Sequence, residues 1–476
     1  MTRLRGRQGQ VLISLALSMT LLLGLISLVT DFGLIYLNQS RLNASTQAAA
    51  LAGAWAMAQP GATSTSVTSA VTSYSGASGN KNTYGLSDAT VMTGYPAMEC
   101  LNTLVSLFGV SCYGPSNTNA LSVKEQIVVP LAFARLVGVP SVTLTSTATA
   151  GMRGASATPL NVAIIVDGTQ SMNDTDTSAS CNDKRINCAM AGVQVLLKGL
   201  SPCLPNLVSC GTVTNGNVAG SFERVSLMSF PPVTTGTVAN DYNCGGTSPS
   251  TAAYATPFPS TSTYQIVNFS SDYRSSDTAT TLRSSSNLVA AAAGNSNLPC
   301  FIAKGGYGTY YAQAIYAAQT YLVAEQAKFP NSQNVIILLS DGDANSTCTA
   351  SSGGVCTAGD LVGASTTSTT YPSTLQECHQ AVTAAQAAAA AGTRVYAVAY
   401  GSPTTGCVTD TNPTITPCQT MQQIASAPGY FFSDYTATGG SNACVSASQP
   451  ATALKDIFQA IVSDFTVSKL IPNNTQ

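Results

Sequence analysis

The feature that most restricts the fold is an uncharged stretch near the amino terminus. Val11 to Val29 is a run of 19 residues, of which fourteen are apolar, one is Gly and four are Ser or Thr. That is about the length a helix needs to cross the hydrocarbon core of a bilayer. Backbone groups in hydrocarbon must pair within their own segment, so helix is the available local structure. Arg3, Arg5 and Arg7 precede the run, and Asp31 is the first acid after it. The positive-inside rule then predicts a cytoplasmic amino terminus, with the rest of the chain on the far side of the membrane. A cleaved secretory signal is the rival, but its apolar core should be about 7–15 residues and end at small residues. Here the pattern continues past Tyr36-Leu37 into an Ala-rich segment that has no Pro or Gly between Asn38 and Gly53. One helix over about 10–58 is expected, ended by Pro60-Gly61.

Cysteine and charge agree with that topology. The chain has 14 cysteines, none in a Cys-x-x-Cys pair, and most sit in Gly/Ser/Thr/Asn-rich stretches. Zinc ribbons and thioredoxin-like motifs are therefore unsupported, and loop disulfides in an oxidising compartment are expected. The closest sequence neighbours are Cys100/Cys112, Cys181/Cys188, Cys203/Cys210, Cys348/Cys356 and Cys407/Cys418, although spacing alone leaves connectivity open. Only 8% of the 476 residues are charged and the net charge is -2. A nucleic-acid partner is not expected, because its basic footprint is missing. With a single histidine, a His-ligated zinc site is excluded and any His-based triad depends on His379.

The segment "RQGQVLISLALSMTLLLGLISLVTDFGLIYLNQSRLNASTQAAALAGA" resembles the amino-terminal part of TadG/TadE-like proteins of the Flp (tad) pilus assembly system. The match combines an Arg/Gly/Gln start, the apolar span, an Asp followed by Gly and Tyr-Leu, and an Ala-rich end. The resemblance implies a bacterial pilus protein with other tad components as partners. If Gly9-Gln10 were a prepilin cleavage point, the fifth residue after it would be Ser14, where type IV prepilins usually carry Glu.

Three parts follow from this reading: an anchor helix at 1–58, a small Ser/Thr-rich α+β region or spacer at 59–158, and a larger domain at 159–476. In the second part, "GATSTSVTSAVTSYSGASGNKNTYG" has the composition of a loop or linker. "SVKEQIVVP" and "SVTLTSTATAGM" read as strands, with "LAFARLVG" a short helix or turn between them.

The chemistry-bearing motif is "NVAIIVDGTQSM" at 161–172. An apolar run that stops abruptly at Asp167 suits a strand buried on both faces of a parallel sheet. Asp167, Thr169 and Ser171 follow at alternate positions where the strand ends. In open α/β sheets, ligands bind beyond the carboxyl ends of strands. Three oxygen side chains there can share one hard cation, Mg²⁺ first, with Mn²⁺ or Ca²⁺ as alternatives. Thr309 falls at the entry to a later helix, and Asp341 ends a second apolar run, "NVIILLSDGD". Helices are expected around 184–200, 376–391, 420–427 and 451–465, with strands at 394–400 and 430–432. This alternation predicts an α/β fold, doubly wound around a mostly parallel sheet.

The arrangement resembles the von Willebrand factor type A (VWA) domain over about 159–466, with insertions at 201–222, 240–300, 346–375 and 403–418. That family's metal-ion-dependent adhesion site (MIDAS) uses Asp-x-Ser-x-Ser, a Thr and an Asp from three loops. The resemblance assigns those roles to Asp167, Thr169, Ser171, Thr309 and Asp341, with Thr169 keeping the hydroxyl of the usual Ser. It implies cell adhesion or pilus assembly, through a protein partner that offers a carboxylate to the metal. Asp174, Asp176 and Asp343 read as solvated loop acids, and His379 as a structural or surface residue. No nucleophile–base pairing appears at a recognised spacing, so no catalytic residue is assigned and an enzyme is not expected. The alternative is a minor-pilin-like structural subunit with a passive head.

Overall fold

The computed structural model describes residues 5–58, 62–76, 81, 86, 88–104, 112, 114–152, 158–203, 209–244, 249–253, 261–277, 279, 281–293, 299–304, 309–340, 343–346, 364–449, 451–465 and 468–475. The chain divides into two compact units, 1–157 with 466–476, and 158–465.

The first unit is built on helix α1, Arg5–Met57. Ile13, Leu15, Leu17, Met19 and Leu22 on its amino-terminal half are exposed, whereas Leu42, Ala49, Ala50, Ala54 and Met57 are buried. Among the described residues no helix is long and apolar enough to cross a membrane. Several side chains of the Val11–Val29 run lie outside those residues. The Ser/Thr-rich stretch expected to be a linker contains helix α2, Ser64–Tyr74. Thr63 and Ser66 form a reciprocal capping box, and Val67 and Val71 are buried. Capping and two apolar residues one turn apart are enough for a short helix that packs on a longer one, despite weak propensities.

Strands β1 (Thr90–Val91), β2 (Ala97–Glu99), β3 (Ala120–Pro130) and β4 (Ser141–Gly151) form an antiparallel sheet with the C-terminal strand Lys469–Ile471. Along β3 the buried positions Leu121, Val123, Glu125, Ile127 and Val129 repeat every second residue, so one face meets α1. Glu125 is the polar member of that face. Its carboxylate accepts hydrogen bonds from Thr46 Oγ1 (2.9 Å), the Gly76 amide (3.1 Å) and Ser75 Oγ.

The second unit alternates strands and helices. In order they are β5 (Leu160–Asp167), α3 (Arg185–Gly199), β6 (Arg224–Thr234), β7 (Ser262–Ser270), α4 (Asn287–Ala293), α5 (Tyr311–Lys328), β8 (Gln333–Ser340), α6 (Glu377–Ala390), β9 (Arg394–Tyr400), α7 (Pro417–Ile424), β10 (Phe431–Asp434) and α8 (Leu454–Phe465). The sheet order is β7-β6-β5-β8-β9-β10, parallel except for edge strand β7. This is a mixed, mostly parallel sheet with helices on both faces. All eight residues of the central strand β5 are buried. Val162, Ile164 and Val166 face the cluster that includes α3, α4 and α8, while Ala163 and Ile165 face α5, α6 and α7. Gly192 lets α8 approach α3, since a Cβ there would lie 2.3 Å from a Phe458 ring carbon. Strands β6 and β7 are not anticipated by the sequence, and β7 lies inside the stretch 240–300 read as an insertion.

Six disulfides join described cysteines, and among these no cysteine is free. Cys100–Cys112, Cys181–Cys188 and Cys203–Cys210 pair as close sequence neighbours. Cys407 does not pair with Cys418: the bridges are Cys378–Cys407 and Cys418–Cys444, with Cys244–Cys300 spanning a longer loop. The fold brings α6 to the 407 loop and β10 to α7, and that proximity outranks spacing in sequence. Cys348 and Cys356 lie outside the described residues.

Candidate functional site

Strand β5 ends at Asp167 because the chain must turn there. In β6, Phe230 pairs with Asp167, and its carbonyl accepts the Gly168 amide at 2.8 Å. A Cβ at Gly168 would stand 2.7 Å from Ser229 Oγ, so a residue without a side chain is needed for so close a crossing. The turn then throws Thr169 and Ser171 back over the strand end, with a single 3₁₀ turn at Gln170–Asn173.

Three of the five sequence-assigned ligands come together here. Asp167 is fully buried, Thr169 almost so, and Ser171 half-buried. Asp167 Oδ1 accepts from the Thr169 amide (2.9 Å) and Thr169 Oγ1 (2.6 Å). Thr169 Oγ1 and Ser171 Oγ lie 3.2 Å apart. Asp167 Oδ2 accepts from Ser340 Oγ at 2.7 Å, so the last residue of β8 closes the other side. Asp341, the next residue, lies outside the described residues.

Thr309 is buried and pinned to the loop after β8. Its amide donates to Asn345 Oδ1 (3.0 Å), and the Asn345 amide donates back to the Thr309 carbonyl (2.8 Å). The Lys304 amide donates to the Gly168 carbonyl at 2.6 Å, which ties the approach to Thr309 onto the Asp167 turn. Sequence reasoning missed Ser340 and Asn345. In "LLSDGDANS" Ser340 adjoins Asp341 and Asn345 lies four residues beyond it, and their roles depend on which elements lie beside which.

The surroundings of the loop after β8 are acidic. Asp343 is half-buried, accepting from the Cys407 amide (2.8 Å) and Asn345 Nδ2 (3.0 Å). Buried Glu377 accepts from the amide and the hydroxyl of Ser346, each at 2.8 Å. Burial, reinforced by Asp410 and Asp343, pushes its carboxyl up to about 8 against the pull of those Ser346 bonds. Tyr311 is fully buried, and its hydroxyl has no hydrogen-bond partner among the described residues. Burial first, then the charges of Asp343, Asp167, Asp410 and Glu377, holds its proton well above the usual tyrosine range.

One of the acids expected to be solvated is not, and Asp343 is half-buried. Asp176 is fully buried: it accepts from Tyr400 Oη (2.7 Å) and the Thr438 and Ser178 amides (2.9 Å each). Burial opposes its ionisation, but these donors prevail and leave the carboxyl below its ordinary value. It braces the loop after Asp167 against the one after β10. Only Asp174 is exposed. His379 sits at the start of α6, where Asp410 accepts from its ring Nδ1 (2.5 Å) and from the amides of Cys378 (3.1 Å) and His379 (3.0 Å). That is a helix cap with a histidine attached. Cys378 and Cys407 lie near Asp410 but are bridged, so they offer no thiolate.

The donor set fits a hard divalent cation. It contains carboxylate and hydroxyl oxygens at a strand terminus, contributed by Asp167, Thr169 and Ser171, the oxygen chemistry that such an ion prefers. Among the described residues the buried Tyr311 hydroxyl has no partner, and the water of a hydrated ion would satisfy such a group.

No curated protein matches the chain. Among solved structures, the pilus adhesin SpaC from Lactobacillus rhamnosus GG is similar at 15% identity and a TM-score of 0.37, over 74% of this chain and 33% of that one. The human COPII-coat protein Sec24c is similar at 8% identity and a TM-score of 0.29, over 65% of this chain and 32% of that one. This chain thus spans about a third of each, and neither likeness is close enough to assign a fold or a function. The family comparison is more local: residues 9–56 match the TadE/G-like Flp pilus-assembly family.

Proposed function

We propose that this is a membrane-anchored cell-envelope protein of the tad pilus type, whose second unit is a VWA-like head that docks a partner through a divalent cation. The match of residues 9–56 to the pilus-assembly family supports the first half. The apolar run Val11–Val29, flanked by Arg7 and Asp31, supports a single crossing with the head outside the cytoplasm. The observation that carries the second half is the convergence of Asp167, Thr169 and Ser171 oxygens at the end of the central parallel strand. In this reading Asp167, Thr169, Ser171, Thr309 and Asp341 hold the ion, Mg²⁺ first. The ion supplies a positive centre with exchangeable waters, and a partner carboxylate can replace one of them. The chain's own residues position and bury the ligands, and nothing in this role is catalytic.

The test is genetic. Cells carrying Asp167→Ala in the full chain are scored for Flp pili and for attachment in Mg²⁺-containing medium. Pili with lost attachment identify a surface adhesin, and lost pili identify an assembly role. If both are unchanged, the metal-docking reading is wrong and the passive, minor-pilin-like head takes its place.

A further inference from the structure

Helix α1 and the hairpin β3–β4 run alongside each other in opposite directions. Gly53 meets Leu121, Thr46 bonds Glu125, and Leu42 shares a cluster with Ile127, Val129 and Leu144. Leu34 and Ile35 pack on that same cluster. The hairpin tip then reaches the helix at Asp31. Asp31 is buried, and its carboxylate accepts the amides of Ala132 (2.9 Å), Phe133 (3.1 Å) and Ala134 (2.6 Å). The tip therefore stands two residues from Val29, the last residue of the apolar run.

The tip is itself apolar and open. Phe133 is 41% exposed, Leu136 78%, Val139 45% and Val128, just before the turn, 53%. From Val128 to Val139 the sequence is "VVPLAFARLVGV", with Arg135 the one charge and no acid. The turn is closed within itself: Gly138, at φ 94°, donates to the Ala134 and Arg135 carbonyls. Three amides that would otherwise resist leaving water are already bonded to Asp31, and an unpaired backbone donor is what excludes most loops from an apolar phase.

We propose that the β3–β4 tip is a membrane-interface wedge. Phe133, Leu136 and Val139 enter the headgroup–acyl boundary of the bilayer, and Arg135 meets anionic lipid headgroups. The proposal rests on the reading of Val11–Val29 as a membrane crossing, because continuity with that run identifies the bilayer as the occupant. Apolar side chains beside a cation suit that layer. The wedge gives the first unit a second foothold, so that Asp31 couples the orientation of the β3–β4 sheet to the membrane.

The experiment uses the full chain in phosphatidylethanolamine/phosphatidylglycerol vesicles, with two quenchers, lipids brominated near the top of the acyl chain for the tip and lipids brominated near its end for the crossing. In a Trp55→Phe background, Leu136→Trp reports the tip, Val139→Trp repeats it, and Leu22→Trp reports the crossing. Val408→Trp, at a 72% exposed position in the other unit, is the solvent reference. Circular dichroism confirms folding. The expected result is at least twofold quenching at 136, 139 and 22, with none at 408. Quenching at 22 alone overturns the wedge and leaves the anchor standing. Quenching at neither 22 nor the tip overturns both. Quenching at the tip alone overturns the crossing, and with it the continuity argument. A blue-shifted but unquenched tip shows a second copy of the chain covering the face, and also overturns the proposal.

Discussion

Asp31 and Asp167 are both buried acids at the end of an apolar run, yet they are held in different ways. Asp31 follows the run Val11–Val29 and accepts three backbone amides from one turn. Those donors are fixed by the backbone and have nothing further to offer. Asp167 follows Val162–Val166 and accepts the Thr169 amide together with the hydroxyls of Thr169 and Ser340, with Ser171 beside them. A hydroxyl that donates to a carboxylate keeps lone pairs for another cation. The first arrangement locks a loop, while the second leaves a ring of acceptors. Burial of an acid therefore says little about its role until the chemistry of its donors is known.

The largest effect is expected at Glu125, which also accepts two hydroxyls and one amide, but from α1 and the end of α2, so that it ties them to β3. Glu125→Ala strands the donors of Thr46, Ser75 and Gly76, at a cost of about 3 kcal/mol to the first unit. Thermal unfolding should show that loss with no change in divalent-ion affinity, and a change in affinity would contradict the division of roles. Asp31→Ala should cost about 1–2 kcal/mol, because its amides can recover water bonds. Protease cleavage within 131–139 should rise, and unchanged protection would show that the tip is held by something else.

Glu377 sharpens the comparison, since it supports the site without touching the ring. Its carboxyl is raised to about 8, so the folded state holds a proton that the unfolded state releases above its ordinary value of 4.5. Its contribution is therefore complete below pH 4.5 and is lost as pH rises toward 8. Wild type should lose about 1–3 kcal/mol between pH 5 and 8 relative to Glu377→Gln, read from denaturant midpoints. Parallel curves would refute the assignment. Lys304, held at about 8 by burial despite its 2.8 Å pairing with Asp241, shifts stability in the opposite direction only above pH 8. The smallest expected effect is Thr169→Ser, which keeps the hydroxyl and should hold metal affinity within about threefold, whereas Thr169→Val should lose it. Equal affinity in both variants would remove Thr169 from the ring.

Much of this architecture was legible in the sequence. The strands ending at Asp167 and Tyr400 are unbroken apolar runs, and α1 and α6 are rich in strong helix formers. What was hidden depends on tertiary neighbours. Helix α2 is mostly Ser and Thr, and only its packing through Val67 and Val71 reveals it. Strand β7, "STYQIVNFS", lies between residues 245–260 and a run of turns, so it reads as part of an insertion. Asp176 looks like any loop acid until Tyr400 and Thr438, more than 200 positions away, bring their donors. The trio Asp167, Thr169 and Ser171 is visible because its members are adjacent in sequence. Ser340 joins it only through the order of the sheet, and Asn345 reaches Thr309, not the trio.

The central claim is that these oxygens take a divalent cation. The direct measurement is a calorimetric titration of the oxidised full chain with Mg²⁺, beside Asp167→Ala with its thermal unfolding recorded. Saturable binding of one ion per chain is expected in wild type, and none in a variant that still folds. A folded wild type that takes up no ion, or equal binding in both proteins, would contradict it.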